Sequence, residues 1–331
     1  MNEELDFVAI GDTTTDAFIK IKKAEVSEDG ESGRKRLCVS FGDKIPYEEV
    51  VVVPAVGNSP NASVSATRLG LNAALATNIG DDDHGKEDLE TLKKNGVNTE
   101  YVKVHPGKKS NYHYVLWYKA ERTILIKHEE YPYEVPNIGS PKWMYFSSVG
   151  ENSIEFHHDI AKYLESHPQT KLAFQPGTFQ IKLGHEALAD LYKVTELFFC
   201  NVSESQRILK TKESDIKKLL KSMRELGPKI AVITDGPEGA YVYDGDEMWH
   251  MPIYPDPAPP IDRTGAGDSF SSTFTSALAL GMSIPEALKW GPINSMSVVQ
   301  HVGAQEGLLT REQLEKFLAE APEGYEPIKI S

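Results

Sequence analysis

Short β-rich runs alternate with helical patterns from about residue 60 onward, and that alternation leaves the chain few architectures. Ala73–Ile79, Trp143–Ser147, Lys171–Gln175, Glu196–Cys200 and Lys229–Thr234 read as buried strands bounded by turn residues. Helical segments lie between them, around 60–69, 84–95, 153–166, 204–209 and 213–225. Such repetition builds an α/β fold, a doubly wound, mainly parallel sheet with helices on both faces. Ser283 with Glu286, and Thr310 with Gln313, have capping-box spacing and should open two further helices. No repeat or low-complexity linker interrupts the pattern, so the 331 residues read as one large domain, 1–331.

Two stretches break the alternation, at about 17–56 and 108–128. The first holds Phe18–Lys22, Leu37–Phe41 and Val50–Val53 around a charged, glycine-containing loop at 24–36. The second reads as a hairpin, Asn111–Tyr118 and Arg122–Lys127 around Lys119-Ala120-Glu121. Strands without helices between them point to a small antiparallel sheet of their own.

Charge excludes several functions. With 35 basic against 49 acidic residues, net −14, the chain is a poor ligand for nucleic acid or an anionic membrane surface. Any phosphate site must therefore be built locally, from helix ends and a bound cation. Cys38 and Cys200 are too few for a disulfide framework or a cysteine-rich zinc site. No apolar run approaches the ~20 residues of a membrane span. The first residues lack the basic-then-apolar order of a signal peptide, so a cytoplasmic location is expected.

The chemistry concentrates in Asp262-Arg263-Thr264-Gly265-Ala266-Gly267-Asp268-Ser269-Phe270. Phe270, Phe274, Ala277 and Leu278 follow at helical spacing, and Gly281 ends the pattern. Three small residues thus occupy a helix start, where backbone N–H groups lack partners and the helix dipole is positive. Gly265 and Gly267 let an anion approach the backbone, and Asp268 fixes a carboxylate beside it. An anion cradle next to a potential base suits phosphoryl transfer to a hydroxyl, although a tight turn with a first-turn acid would read the same. Gly80-Asp81-Asp82-Asp83-His84-Gly85-Lys86 has P-loop spacing, but Glu87 stands where Ser or Thr must hold Mg²⁺, and three carboxylates would repel phosphate. No G-x-G-x-x-G follows a strand, which removes support for a dinucleotide-binding oxidoreductase. The strand Phe7–Gly11 runs into Asp12 and Asp16, each either a turn acid or an acceptor for a ligand's hydroxyls.

Along nearly its whole length the sequence resembles the ribokinase-like (PfkB) family of small-molecule kinases. Asp262–Phe270 fits the family's D-T-x-G-A-G-D-x-F element with Arg263 in place of the first Thr. The resemblance implies that Asp268 is the catalytic base and that the amides of Gly265, Ala266 and Gly267 form the anion hole. It places Asp16, and less strongly Asp12, on the acceptor's hydroxyls. Val56-Gly57-Asn58-Ser59-Pro60-Asn61-Ala62 is similar to G-G-x-x-x-N-x-A, which puts Gly57, Asn58 and Asn61 at the acceptor. Asn201-Val202-Ser203-Glu204 resembles the N-x-x-E element, implying Asn201 near the nucleotide phosphates and Glu204 on Mg²⁺, mostly through water. Thr234-Asp235-Gly236-Pro237-Glu238-Gly239 is similar to a T-x-G-x-x-G nucleotide loop, implying roles for Thr234, Gly236 and Gly239. Asn294 and the Val302-Gly303-Ala304 turn would flank the adenine. Asp262 and Thr264 match positions whose backbone carbonyls hold K⁺ in some members, and Arg263 either assists phosphate binding or takes over that cation's influence.

These expectations amount to a kinase using ATP and Mg²⁺, with K⁺ as a further cofactor, acting on a pentose, hexose or sugar phosphate. The two unusual strand stretches would cover the substrate as a lid and pair with a second copy in a homodimer. Tyr112, His113, Tyr114, Trp117 and Tyr118 crowd the lid hairpin, which keeps a nucleoside as the alternative acceptor, although strand alternation turns only half of them inward. Gln175-Pro176-Gly177 departs from the Asp or Asn that family members carry before the Pro. A reading of another class is a non-catalytic sugar- or nucleotide-binding protein on the same fold.

Overall fold

The computed structural model describes residues 4–30, 35–119 and 121–330. Residues 31–34 of the expected 24–36 loop and Ala120 of the hairpin turn lie outside them. Strand β1 (Phe7–Ile10) enters the middle of a ten-stranded sheet. The chain then leaves through β2 (Thr14–Ile21), a hairpin of β3 (Glu25–Glu28) and β4 (Lys35–Cys38), and β5 (Tyr47–Val56). It returns by α1 (Asn58–Arg68), β6 (Ala73–Gly80), α2 (Asp83–Lys94) and β7 (Val102–His105). A second excursion follows, β8 (Asn111–Tyr118) and β9 (Glu121–Leu125).

The remaining chain fills the other side of β1. In order come β10 (Trp143–Phe146), α3 (Ile154–Ser166), β11 (Lys171–Phe174), α4 (Thr178–Leu183), α5 (Ala189–Val194), β12 (Thr195–Asn201), α6 (Val202–Ile208), α7 (Ile216–Glu225) and β13 (Ile230–Thr234). Then β14 (Ala240–Tyr243) and β15 (Met248–Met251) precede α8 (Ala266–Ala279), α9 (Ile284–Val298), α10 (Arg311–Ala319) and the edge strand β16 (Ile328–Ile330). The strand order is β16-β15-β14-β13-β12-β11-β10-β1-β6-β7, parallel from β13 to β7 and antiparallel beyond β13. Chain order reverses direction between β10 and β1, so a crevice opens at the carboxyl ends of those two strands.

Alternation explains the two packed layers. Phe7 and Ala9, Trp143 and Tyr145, and Leu197 and Phe199 bury against α1, α8 and α9 through Val64, Phe274 and Leu288. Val8 and Ile10, Met144 and Phe146, and Phe198 and Cys200 bury on the opposite face with Phe156, Leu191 and Leu220 of α3, α5 and α7. Both expected capping boxes are present, Ser283–Glu286 and Thr310–Gln313. Among the described residues no helix is long and apolar enough to cross a membrane.

The small sheet has order β5-β2-β8-β9. β2–β5 and β8–β9 are antiparallel, but β2 and β8 pair in parallel. Each follows a parallel strand of the main sheet, so both leave its same end in the same direction. The charged 24–36 stretch, expected as a loop, supplies β3, which pairs with β4 through Val26 and Leu37. The run Leu37–Phe41 stops being strand at Cys38.

Candidate active site

The helix start of α8 depends on two glycines for different reasons. Gly265 has φ 79°, and a Cβ there would lie 2.3 Å from the Cβ of Ala304. A Cβ on Gly267 would meet nothing within 4 Å, so there is open space beside the backbone at this position. Asp262 braces the turn from within. Its Oδ1 accepts from the Thr264 N–H (2.9 Å) and Oγ1 (2.6 Å), and its Oδ2 from the Gly303 N–H (2.9 Å). Gly303 and Ala304 therefore pack against this turn.

A cavity of about 390 Å³ opens beside this helix start. Asn201, Thr234, Gly236, Gly239, Ala266 and Gly267 line it together with Arg263. These are the positions singled out for a nucleotide, brought together from the ends of β12 and β13 and the start of α8. Asn294 is the exception. Its side chain is fully buried, donating to Thr273 Oγ1 (2.7 Å) and accepting from the Leu309 N–H (2.9 Å). The wall from α9 is made by Pro292, Ser295 and Met296 instead, because Asn294 lies on the helix face turned to α8.

Asp268, on the first turn of α8, is held by three amides. Oδ1 accepts from Asn58 Nδ2 (2.9 Å) and Gln175 Nε2 (3.0 Å), and Oδ2 from Asn61 Nδ2 (2.9 Å). Asn58 and Asn61, expected at the acceptor, thus aim the carboxylate. Gln305 Nε2 in turn donates to Asn61 Oδ1 (3.0 Å), and Gln175 Oε1 accepts from the hydroxyls of Tyr145 and Ser271. Burial pushes the Asp268 carboxyl up from its ordinary value, against the downward pull of Asn61, Gln175, Asn58 and the charge of Arg122.

Glu204 and Asn201 form a capping box at α6, each accepting from the other's backbone N–H at 2.9 Å. Burial raises the Glu204 carboxyl, and the nearby charge of Asp268 adds to it. The capping bond occupies Oε2, and two carboxylates that feel each other favour a cation between them. No group of three acidic or histidine side chains poised for a metal occurs among the described residues. One carboxylate with water completing the shell is how Mg²⁺ is commonly held, so Glu204 fits that ion.

On the other side of Asp268 the crevice at β1 is lined by side chains. Asp12 accepts from Tyr133 Oη with both oxygens (2.9 Å each) and lies 2.9 Å from His128 Nδ1. Gly57 (φ 124°) is needed because a Cβ would sit 2.8 Å from the Asp12 carbonyl oxygen. Asp16, paired in register with His113, lies 3.4 Å from His113 Nδ1. From the small sheet, Arg122 Nη1 comes within 3.5 Å of Asp262 Oδ1 and so ties that sheet to the start of α8. Arg122, His128, Tyr133 and the bracing role of Gln175 were missed in the sequence. Only strand parity could have flagged Arg122, which pairs with Trp117 on the cleft side of the hairpin.

Three comparisons with known proteins bear on this arrangement. Residues 35–311 match the family described as pfkB family carbohydrate kinase. Ribokinase from Bacillus subtilis is 26% identical over 269 residues, covering 80% of this chain and 87% of the relative. A nucleoside kinase from Methanothermobacter thermautotrophicus is 25% identical over 343 residues, covering 99% of each. The solved structure of Arabidopsis thaliana ribokinase with ribose and ATP shares the fold, with TM-score 0.80 and 18% identity over 95% of this chain and 99% of that one. The chain belongs to the pfkB family of carbohydrate kinases, on the ribokinase fold.

Proposed function

We propose that the protein transfers the terminal phosphoryl group of ATP, as its Mg²⁺ complex, to a hydroxyl of a small sugar-like acceptor. One placement carries the reading. Asp268 stands between a cavity walled by helix-start amides and a crevice walled by polar side chains. As the base it takes the hydroxyl's proton, and its raised pKa strengthens it for that task. The amides of Gly265, Ala266 and Gly267 stabilise charge on the transferring group. Asn201, Thr234, Gly236 and Gly239 lie beside the nucleotide. Glu204 would hold Mg²⁺, which neutralises phosphate charge when bound. The braced turn leaves the backbone carbonyls of Asp262 and Thr264 as the groups that would hold K⁺.

The lid closes over both substrates, and Arg122 brings its positive charge to the turn. Tyr112 and Tyr114, candidates for stacking on a nucleobase, pack on each other and on His84 at the face away from Asp16, which favours a sugar. That outer face exposes Val50, Val52, Tyr114 and Leu125, which a second copy would cover in a homodimer.

The test is ADP release from ATP with Mg²⁺ across sugars, sugar phosphates and nucleosides, with Asp268→Asn alongside. We expect a selective signal that falls about 10³-fold in the variant at unchanged melting temperature. Near-normal turnover by folded Asp268→Asn would remove the base assignment. Sugar binding without ADP release would instead indicate a pure binding protein.

A further inference from the structure

The amides that hold Asp268 are themselves held, and one residue that does so lies outside every motif of the sequence. Gln305 is buried in the loop between α9 and α10. Its Nε2 donates to the Ala55 carbonyl (2.7 Å) and to Asn61 Oδ1 (3.0 Å), and Asn61 Nδ2 donates to Asp268 Oδ2 (2.9 Å). The end of β5, the first turn of α1 and this loop thus meet at one side chain.

Polarity runs one way along this chain of bonds. A backbone carbonyl can only accept, so the Ala55 oxygen requires the Gln305 nitrogen. That nitrogen's second proton requires the Asn61 oxygen, which leaves the Asn61 nitrogen facing Asp268. Both ends of the lock are fixed. Ala55 is fully buried at a left-handed φ of 57°, and its N–H donates to Asp88 Oδ1 (2.6 Å). The Gln305 carbonyl accepts from Arg68 Nη1 (2.8 Å), which also donates to the Leu308 carbonyl (2.7 Å), so the loop is pinned to α1.

Asn58 and Gln175 both donate to the other oxygen, Asp268 Oδ1. A carboxylate offers about four lone-pair sites, so three donors leave one, on Oδ2 beside Asn61. The way Asn61 turns therefore bears on the oxygen that stays open to a hydroxyl's proton.

We propose that Gln305 is a positioning residue for the base, passing the fixed polarity of the Ala55 carbonyl through Asn61 to Asp268 and keeping one Oδ2 lone pair open for the acceptor's proton. This inference rests on the kinase reading of Asp268. A packing role alone would make Gln305 matter for stability only.

The test is a double-mutant cycle on the full chain, read by the pH profile of kcat/KM with the acceptor that ADP release identifies. Gln305→Met keeps the bulk and removes the donor, and Gln305→Asn keeps an amide one methylene too short to span both oxygens. Each frees Asn61 to turn, so the Asp268 carboxylate loses a donor that favours its charged form. We expect the acid limb to move up by about 0.5–1 pH unit and kcat to fall about 10-fold. In an Asn61→Leu background, where the limb has already moved, neither substitution should move it further. Arg122 and Glu204, the charged groups that also act on Asp268, are unaltered throughout. Melting temperature should fall in the Gln305 variants because two buried acceptors lose their donor, and that fall alone is what packing predicts. An unmoved limb in folded Gln305→Met, or in Gln305→Asn should the first not fold, overturns the proposal, as does an equal shift in the Asn61→Leu background. If no acceptor gives Asp268-dependent ADP release, the kinase reading fails. The titration of the carboxyl, followed by carbon-13 NMR of aspartate-labelled protein with Asp268→Asn marking its signal, then reads the Gln305 effect without turnover.

Discussion

The two sides of Asp268 are built from different materials. The side proposed for the donor is mostly backbone: helix-start amides, glycines with positive φ and a braced turn within a few residues of chain. The side proposed for the acceptor is mostly side chains, drawn from Asp12, Asp16, His113, His128 and Tyr133 on separate elements. Backbone donors cannot be exchanged one at a time, so that side suits a ligand that does not vary. Side chains can be exchanged singly, so one scaffold can be turned toward different acceptors.

Perturbing each side should expose that difference. The largest effect is expected at Gly265. Gly265→Ala forces a Cβ into Ala304 at a left-handed backbone position, and should cost about 1–3 kcal/mol of stability and most activity. Thermal melting and ADP release check it, and normal values for both would show that the turn is less rigid than its geometry.

Arg122→Ala breaks the ion pair between the small sheet and the start of α8 and removes positive charge near Asp268. We expect kcat to fall about 10- to 100-fold with melting nearly unchanged. An effect confined to the acceptor's KM would move Arg122 to the other side of the comparison.

Gln175→Leu removes a hydrogen bond that lowers the Asp268 pKa. The acid limb of kcat/KM should therefore move to higher pH, because a larger fraction of the base is protonated at a given pH. A pH–rate profile reads this directly. A fall in rate with an unmoved limb would mean that Gln175 acts only through packing.

The effect expected to leave turnover least changed concerns stability at the root of the small sheet. Asp88 Oδ1 accepts from Thr15 Oγ1 (2.9 Å) and the Ala55 N–H (2.6 Å), where β2 leaves and β5 returns. Burial raises its carboxyl to about 7. With the folded pKa above the unfolded one, the folded state binds the extra proton, so this contribution is complete at low pH and lost as pH rises to about 7. The slope is at most about 1.4 kcal/mol per pH unit. Denaturant titrations across that window should show Asp88→Asn flattening the decline, and an unchanged slope would acquit Asp88.

Legibility followed the same division. Asp262–Phe270 was readable because a helix start, its glycines and its first-turn acid are determined within nine residues. Strand identity was readable for the same kind of reason, since Trp143–Phe146 and Leu197–Cys200 are continuous apolar runs bounded by turn residues, and such runs are buried on both faces. Asn58 and Asn61 were singled out in the sequence for an acceptor, but it did not show that they donate to Asp268 from more than 200 positions away. Asn294 misled because a polar residue on a helix near the site can equally serve the helix–helix contact.

By itself, then, the sequence determined what depends on neighbours in the chain: the α/β alternation, the capping boxes, and the glycine-rich helix start with its carboxylate. Only the tertiary structure decided the β2–β8 pairing, the Arg122 contact and the two carboxylate–imidazole pairs. Those contacts join segments separated by about a hundred residues, and strand register, not local propensity, sets which side chains meet.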